Sequence, residues 1–219
     1  LANGKLCSNT MNPSATKTTV QFVEKTYGYT CDFRMRCSYT DYKFATTLYP
    51  GTYRVTVQGD SDENITNLPF APYVADGNFV VSADVSGKSL DLKTVKVSGS
   101  VVLNGAALAN GKLCSNTMNP SATKTTVRFV EKTYGYSFDF RMVCRYTDYR
   151  YSTTLYPGTY LVTVEGDSDE NITNVPAAAY VADPALVATA DVSGKVLNLQ
   201  TVQVKGEVLL NGVAPMNGR

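Results

Sequence analysis

The chain has 219 residues, with Lys and Arg numbering 20 against 19 Asp and Glu, and a net charge of +1 argues against a nucleic-acid or anionic-membrane partner, which would want a basic face. Histidine is absent, which removes the commonest general base and transition-metal ligand, and tryptophan is absent too. Hydrophobic residues make up 43%, enough for packed cores, yet no stretch approaches the ~18 consecutive apolar residues of a membrane span.

Residues 1–20, LANGKLCSNTMNPSATKTTV, recur letter for letter at 108–127. From there 1–107 and 108–214 run in register, about three quarters identical. A period near one hundred residues is too long for a solenoid unit and suits a domain that closes its own core. In chain order, Asn3-Gly4 marks a turn and the polar stretch 8–16 a loop. Residues 18–24, TTVQFVE, alternate as a strand with Val20 and Phe22 inward. Tyr27-Gly28-Tyr29 reads as a hairpin turn, and 32–39 as a strand with Phe33, Met35 and Cys37 on its apolar face. Residues 42–48 form a further predicted strand. Pro50-Gly51 reads as a turn in which Gly takes positive φ, before a strand carrying Tyr53, Val55 and Val57. Residues 59–67 are a polar loop and 69–78, with two prolines, read as irregular. Residues 79–85, 89–92 and 95–103 are strands, the last ending in Asn104-Gly105. No segment has a helical apolar period, so the predicted class is all-β, a sandwich of short antiparallel strands in each repeat.

Cys7 and Cys37 recur as Cys114 and Cys144, whereas the position of Cys31 is Phe138 in the second repeat. The simplest pairing is Cys7–Cys37 and Cys114–Cys144, one bridge per repeat, each stabilising by roughly 3 to 4 kcal/mol and implying an oxidising compartment. Cys31 is then the odd thiol. It is either a small buried apolar residue, an intermolecular thiol, or part of a Cys31–Cys37 alternative.

Two clusters are candidates for chemistry. Asp60, Asp62 and Asn64, repeated as Asp167, Asp169 and Asn171, space oxygen ligands as calcium loops do. Ile65 and Ile172 stand where such a loop needs Gly, and no Glu stands at its twelfth position, so a solvated acidic turn is the favoured reading and no cofactor is expected. Tyr27, Tyr29 and Arg34, with Tyr134, Tyr136 and Arg141, could offer a ligand face to a sugar; cross-strand packing is the plainer account. No nucleophile–base pair is legible, so no enzyme is expected.

The run V-x-G-x-V-x-x-N-G at Val97, Gly99, Val101, Asn104 and Gly105, with L-x-P-G-T-Y-x-V-x-V at Leu48, Pro50, Gly51, Thr52, Tyr53, Val55 and Val57, resembles the carboxypeptidase regulatory-like domain. Both runs recur in the second repeat. The resemblance implies two tandem immunoglobulin-like or prealbumin-like antiparallel sandwiches from a secreted or surface protein of a bacterium. In that family the first run opens a module. It implies a first domain at 1–98 without its opening strand, a second at 99–205, and at 206–219 the opening strand of a third. Leu1 is not Met and the chain starts mid-pattern, so upstream sequence is expected, and the ends can equally be limits of a longer array. The sharper expectation is that Val208, Leu209 and Leu210 are donated as a strand to a neighbour. The functional expectation is a rigid, disulfide-pinned block of an extracellular filament or stalk, partnered by other copies of itself head to tail or by adjacent repeats. The alternative is an adhesive module that binds surface glycans.

Overall fold

The structure is a computed structural model and describes residues 7, 13–39, 41–60, 65–66, 68–115, 120–169, 172–209, 211 and 213–214. It is nearly all antiparallel β, in three sheets. Among the described residues no helix is long and apolar enough to cross a membrane.

In the first repeat, strands β1 (Thr16–Glu24), β2 (Thr30–Arg36), β3 (Gly51–Gly59) and β4 (Tyr73–Val81) form one sheet in the order β2-β1-β3-β4. All its pairings are antiparallel. The β1–β2 turn closes through Gly28, at φ 74°, whose amide donates to Glu24 O at 2.9 Å. The Glu24 carboxylate accepts from Thr26 N and Tyr27 N at 2.8 and 2.6 Å, and these bonds hold its pKa below the usual carboxylate value.

The second repeat builds the same sheet from β7 (Thr123–Glu131), β8 (Ser137–Val143), β10 (Gly158–Gly166) and β11 (Tyr180–Ala188). It then adds another. Strand β5 (Val95–Leu103) lies between β12 (Val192–Leu199), parallel to it, and β9 (Arg150–Leu155), antiparallel to it. The short β6 (Ala106–Ala107) pairs back onto the end of β5. The two sheets share one core. Val97 and Val101 of β5, Tyr151 and Leu155 of β9, and Leu197 and Leu199 of β12 pack with Val127 and Phe129 of β7 and Val162 and Val164 of β10. Alternate residues of β9 are buried, as the two-residue period of a one-sided strand requires. The result is a β-sandwich with β5 at the centre of its second layer.

Several expectations need correction. Residues 69–78 are not irregular throughout: β4 begins at Tyr73, directly after Pro72. It is an edge strand, where missing ladder donors and bulges are tolerated, and its pairing with β3 slips twice. Gly51 and Gly158 do not take positive φ; each opens its strand. At Gly158 a Cβ would come 3.2 Å from Glu131 Cγ, so close packing is what favours glycine there. A single-turn helix, Lys112–Ser115, which no sequence period announced, carries Cys114. Most consequential, residues 42–48 and 85–92 form no strands in the first repeat, although their counterparts β9 and β12 do in the second. Both of those strands are held by β5. Among the described residues no strand lies between 43–48 and 85–92.

Gly99 shows how closely β12 approaches β5. A Cβ there would fall 1.8 Å from Lys195 O and 2.8 Å from Tyr151 Oη. Backbone cannot yield as a side chain can, so Gly99→Ala is expected to cost about 3 kcal/mol by prising β12 from the sheet. Urea unfolding of the second repeat checks this; an unchanged midpoint would contradict it.

Candidate functional site: an open strand cleft in the first repeat

Among the described residues the first repeat has the flanking parts of a second layer and no strand between them. Tyr42, Phe44 and Leu48, and on the other side Leu90 and Leu92, pack partly buried against the core of Val20, Phe22, Tyr53 and Val55. Their counterparts Tyr149, Tyr151, Leu155, Leu197 and Leu199 are fully buried under β5. The difference is a groove of about 290 Å³ with Phe22 and Phe79 at its floor, Phe44 and Leu48 on one wall and Val85 and Lys88 on the other. Phe22 lies 5.9 Å from Phe44 and 6.3 Å from Phe79 between ring centroids.

The strand that would fill such a groove is present elsewhere in the chain. Residues 202–209 repeat the pattern of 95–102 and belong to no strand among the described residues. Val95, Val97 and Val101 are 5%, 0% and 1% exposed; the matching Val202, Val204 and Val208 are 88%, 87% and 80% exposed. Asn211 keeps the left-handed backbone of Asn104, with φ of 52° and 50°. Of the expected donor residues, Val208 and Leu209 are exposed, and Leu210 lies outside the described residues.

The disulfides are Cys7–Cys37 and Cys114–Cys144, which fit a non-reducing environment. The Cys31–Cys37 alternative is therefore overturned. Cys31 is a free thiol, half-buried against the first-repeat core with Sγ 3.5 Å from Thr46 Oγ1. Phe138 fills its place in the second core.

The calcium expectation finds no cluster: among the described residues no three acidic, Cys or His groups could hold a metal ion. Asp62, Asn64 and Asn171 lie outside the described residues. Asp60 follows β3, its amide donating to Lys17 O at 3.3 Å. Asp167 Oδ1 accepts from Asp169 N at 2.8 Å and Ile172 N donates to Asp169 O at 2.9 Å, so these aspartates organise a turn.

The tyrosine pairs do meet: Tyr134 stacks on Tyr136 at 5.5 Å, and Tyr27 lies 5.8 Å from Tyr29 with the rings tilted by 30°. Arg34 and Arg141 lie on the exposed faces of β2 and β8, opposite Thr19 and Thr126, and Arg34 lines one cleft together with Tyr136 of the second repeat. Tyr134 and Tyr136 also border a cleft of about 330 Å³ between the repeats, where Tyr73 stacks on Tyr156 at 4.4 Å. Tyr156 Oη is buried there without a hydrogen-bond partner among the described residues.

Sequence reasoning missed the buried lysines. Alternation from Val20 and Phe22 turns Lys17 outward, but the β1–β2 register slips between Thr16 and Thr18 and brings it in. Lys17 Nζ donates to Tyr39 O and Asp41 O at 2.7 and 2.8 Å, over the Tyr42 ring. Lys124 does the same to Tyr146 O, Asp148 O and Asn110 Oδ1, each at 2.7 Å, over Tyr149. Burial pushes Lys124 down to about 8, partly opposed by Asp148. Each lysine ties down the segment that follows its disulfide, and so sets the start of the outer wall of each second layer.

Burial also raises the pKa of Tyr151 and Tyr156 well above the ordinary phenol value, and of Tyr160 to about 12. These groups favour the folded state while neutral. Their contribution is complete below the unfolded tyrosine pKa of about 10 and is lost as pH rises above it. Alkaline titration followed by tyrosinate absorbance is expected to show them ionising only together with unfolding of the second repeat.

No family model matches the chain, and no curated protein matches it. Among solved structures it is similar to a leucine-rich repeat protein from Bacteroides thetaiotaomicron, at 15% identity and a TM-score of 0.27, covering 86% of this chain and 25% of that one. The chain thus spans about a quarter of the length of that protein.

Proposed function

We propose that this chain is an extracellular structural repeat protein, a rigid, disulfide-pinned block of a bacterial surface filament or stalk assembled through β-strand complementation. In this reading its repeats are tandem immunoglobulin-like or prealbumin-like sandwiches, similar to carboxypeptidase regulatory-like domains. The observation that carries it is the pair of near-identical repeats, each building the same four-stranded antiparallel sheet and each pinned by one disulfide. A sheet edge presents unpaired backbone groups, and an added strand satisfies them. The disulfides support an oxidising location. Electron microscopy and light scattering of the purified chain at neutral pH test this. Filaments with a two-repeat period support it; isolated rods at every concentration sink it.

A second reading, glycan binding, is favoured by the inter-repeat cleft, where the Tyr134–Tyr136 and Tyr73–Tyr156 stacks offer ring faces beside the buried Glu131. Glycan-array binding lost on Tyr134→Ala and kept on Tyr27→Ala would support it, since Tyr27 lies outside that cleft.

A further inference from the structure

We infer that the cleft between the repeats binds an amino sugar, a sugar carrying a free primary ammonium group, in preference to a neutral one. This rests on the glycan-binding reading above and names the class of sugar.

The cleft takes its lining from both repeats: Tyr73 from the first, and Glu131, Tyr134, Tyr136 and Tyr156 from the second. Its volume of about 330 Å³ suits a small molecule. The rings come in two stacks, Tyr73 on Tyr156 at 4.4 Å and Tyr134 on Tyr136 at 5.5 Å. They supply flat apolar faces against which the C–H side of a sugar ring packs. Thr133 and Thr189, both exposed, add hydroxyl groups to the lining for the hydroxyls of the sugar.

Two polar groups in this lining are left with unused bonding capacity by the fold. The first is a phenol. Tyr156 is 4% exposed, yet its hydroxyl has no hydrogen-bond partner among the described residues. Tyr160, by contrast, is satisfied, its hydroxyl donating to Tyr156 O at 2.6 Å. A buried hydroxyl without a partner is costly and uncommon in native proteins, and a polar ligand in the cleft supplies one. Burial above all raises the Tyr156 pKa, and Tyr73 and Tyr160 nearby add to the rise. The group is therefore a neutral phenol, able to donate as well as accept.

The second is a carboxylate. Glu131 ends β7 and is 8% exposed. Its Oε2 accepts from Thr133 N at 2.8 Å and Tyr134 N at 2.6 Å. Among the described residues Oε1 accepts no hydrogen bond, and no Lys or Arg pairs with the group. No cation lines the cleft either; Arg54, which comes near Tyr136, lines the neighbouring cleft on the first sheet. A buried carboxylate calls for a cation. An ammonium group answers with charge and N–H donors for Glu131 Oε1, and with attraction to the ring faces. A neutral sugar meets the rings equally well and leaves that charge unpaired.

The test is isothermal titration calorimetry of the whole chain at slightly acidic pH, where glucosamine is protonated. The ligands are glucosamine, N-acetylglucosamine, glucose and n-butylamine. The expected result is that glucosamine binds and the two neutral sugars bind at least about tenfold more weakly. Equal binding of the three sugars would overturn the ammonium preference and leave glycan binding standing. Butylamine binding while no sugar binds would overturn the sugar assignment and the glycan reading with it. No binding by any of the four would overturn both. Two variants separate the site from the fold. Glu131→Gln keeps an oxygen for the turn amides and removes the charge, so glucosamine is expected to fall to the level of glucose, with glucose unchanged. A glucosamine preference that survives this change would overturn the inference. Tyr156→Phe removes the unpartnered hydroxyl, so the thermal midpoint of the free chain is expected to hold or rise while glucosamine binding falls roughly tenfold. Unchanged binding in that variant would overturn the part assigned to Tyr156.

Discussion

Val97→Asp is expected to unfold the second repeat, while Val204→Asp, the same change at the matching position, leaves the unassociated chain as stable as before. Val97 is 0% exposed at the middle of β5, with β9 on one side and β12 on the other. A carboxylate there has no cation to pair with in the core cluster, and its burial is expected to cost more than about 4 kcal/mol. Because β5 is the sole link between β9 and β12 in the described sheet, its loss takes the layer with it. Val204 is 87% exposed, so its replacement touches no packed group within the chain. Urea unfolding followed by circular dichroism checks the pair. Equal destabilisation by both variants would mean that 202–209 is packed in the isolated chain.

Removing the second bridge, by Cys114→Ser with Cys144→Ser, is the other large effect expected. The cysteines are 30 residues apart in sequence. Releasing a loop of that length from the unfolded ensemble is expected to cost about 3 to 4 kcal/mol. For a unit near one hundred residues that corresponds to a drop in thermal midpoint of more than about 10 °C. Cys144 N donates to Ala122 O at 2.9 Å, and Lys124 Nζ grips Tyr146 O and Asp148 O just beyond. Bridge and lysine thus hold one short segment, and Lys124→Met combined with the bridge removal is expected to cost less than the sum of the two. Calorimetry with and without reductant measures this; a midpoint indifferent to reduction would refute it.

Much of the architecture was legible. The alternation of 18–24 placed Val20 and Phe22 inward, and both are buried in β1. The matched cysteines of the two repeats form one bridge in each. What failed did so for identifiable reasons. The burial of Lys17 and Lys124 was not legible because strict alternation cannot see a register slip. The strand from Tyr73 was obscured by Pro72 and Gly77, which an edge strand accepts and a central one does not. The stack of Tyr73 on Tyr156 joins residues far apart in sequence, which no local pattern announces.

Local sequence by itself determined which residues alternate, where turns fall, which cysteines correspond, and that two copies of one unit are present. It did not determine which segments become strands. Residues 43–48 and 150–155 are close in sequence, and so are 95–102 and 202–209, yet in each pair the two members differ in structure. A strand is stabilised by backbone hydrogen bonds to a neighbour and by a covered apolar face, and neither is a property of the segment alone. Where β5 lies between its partners, all three are strands; where the described residues place no strand between them, 43–48 and 85–92 form none.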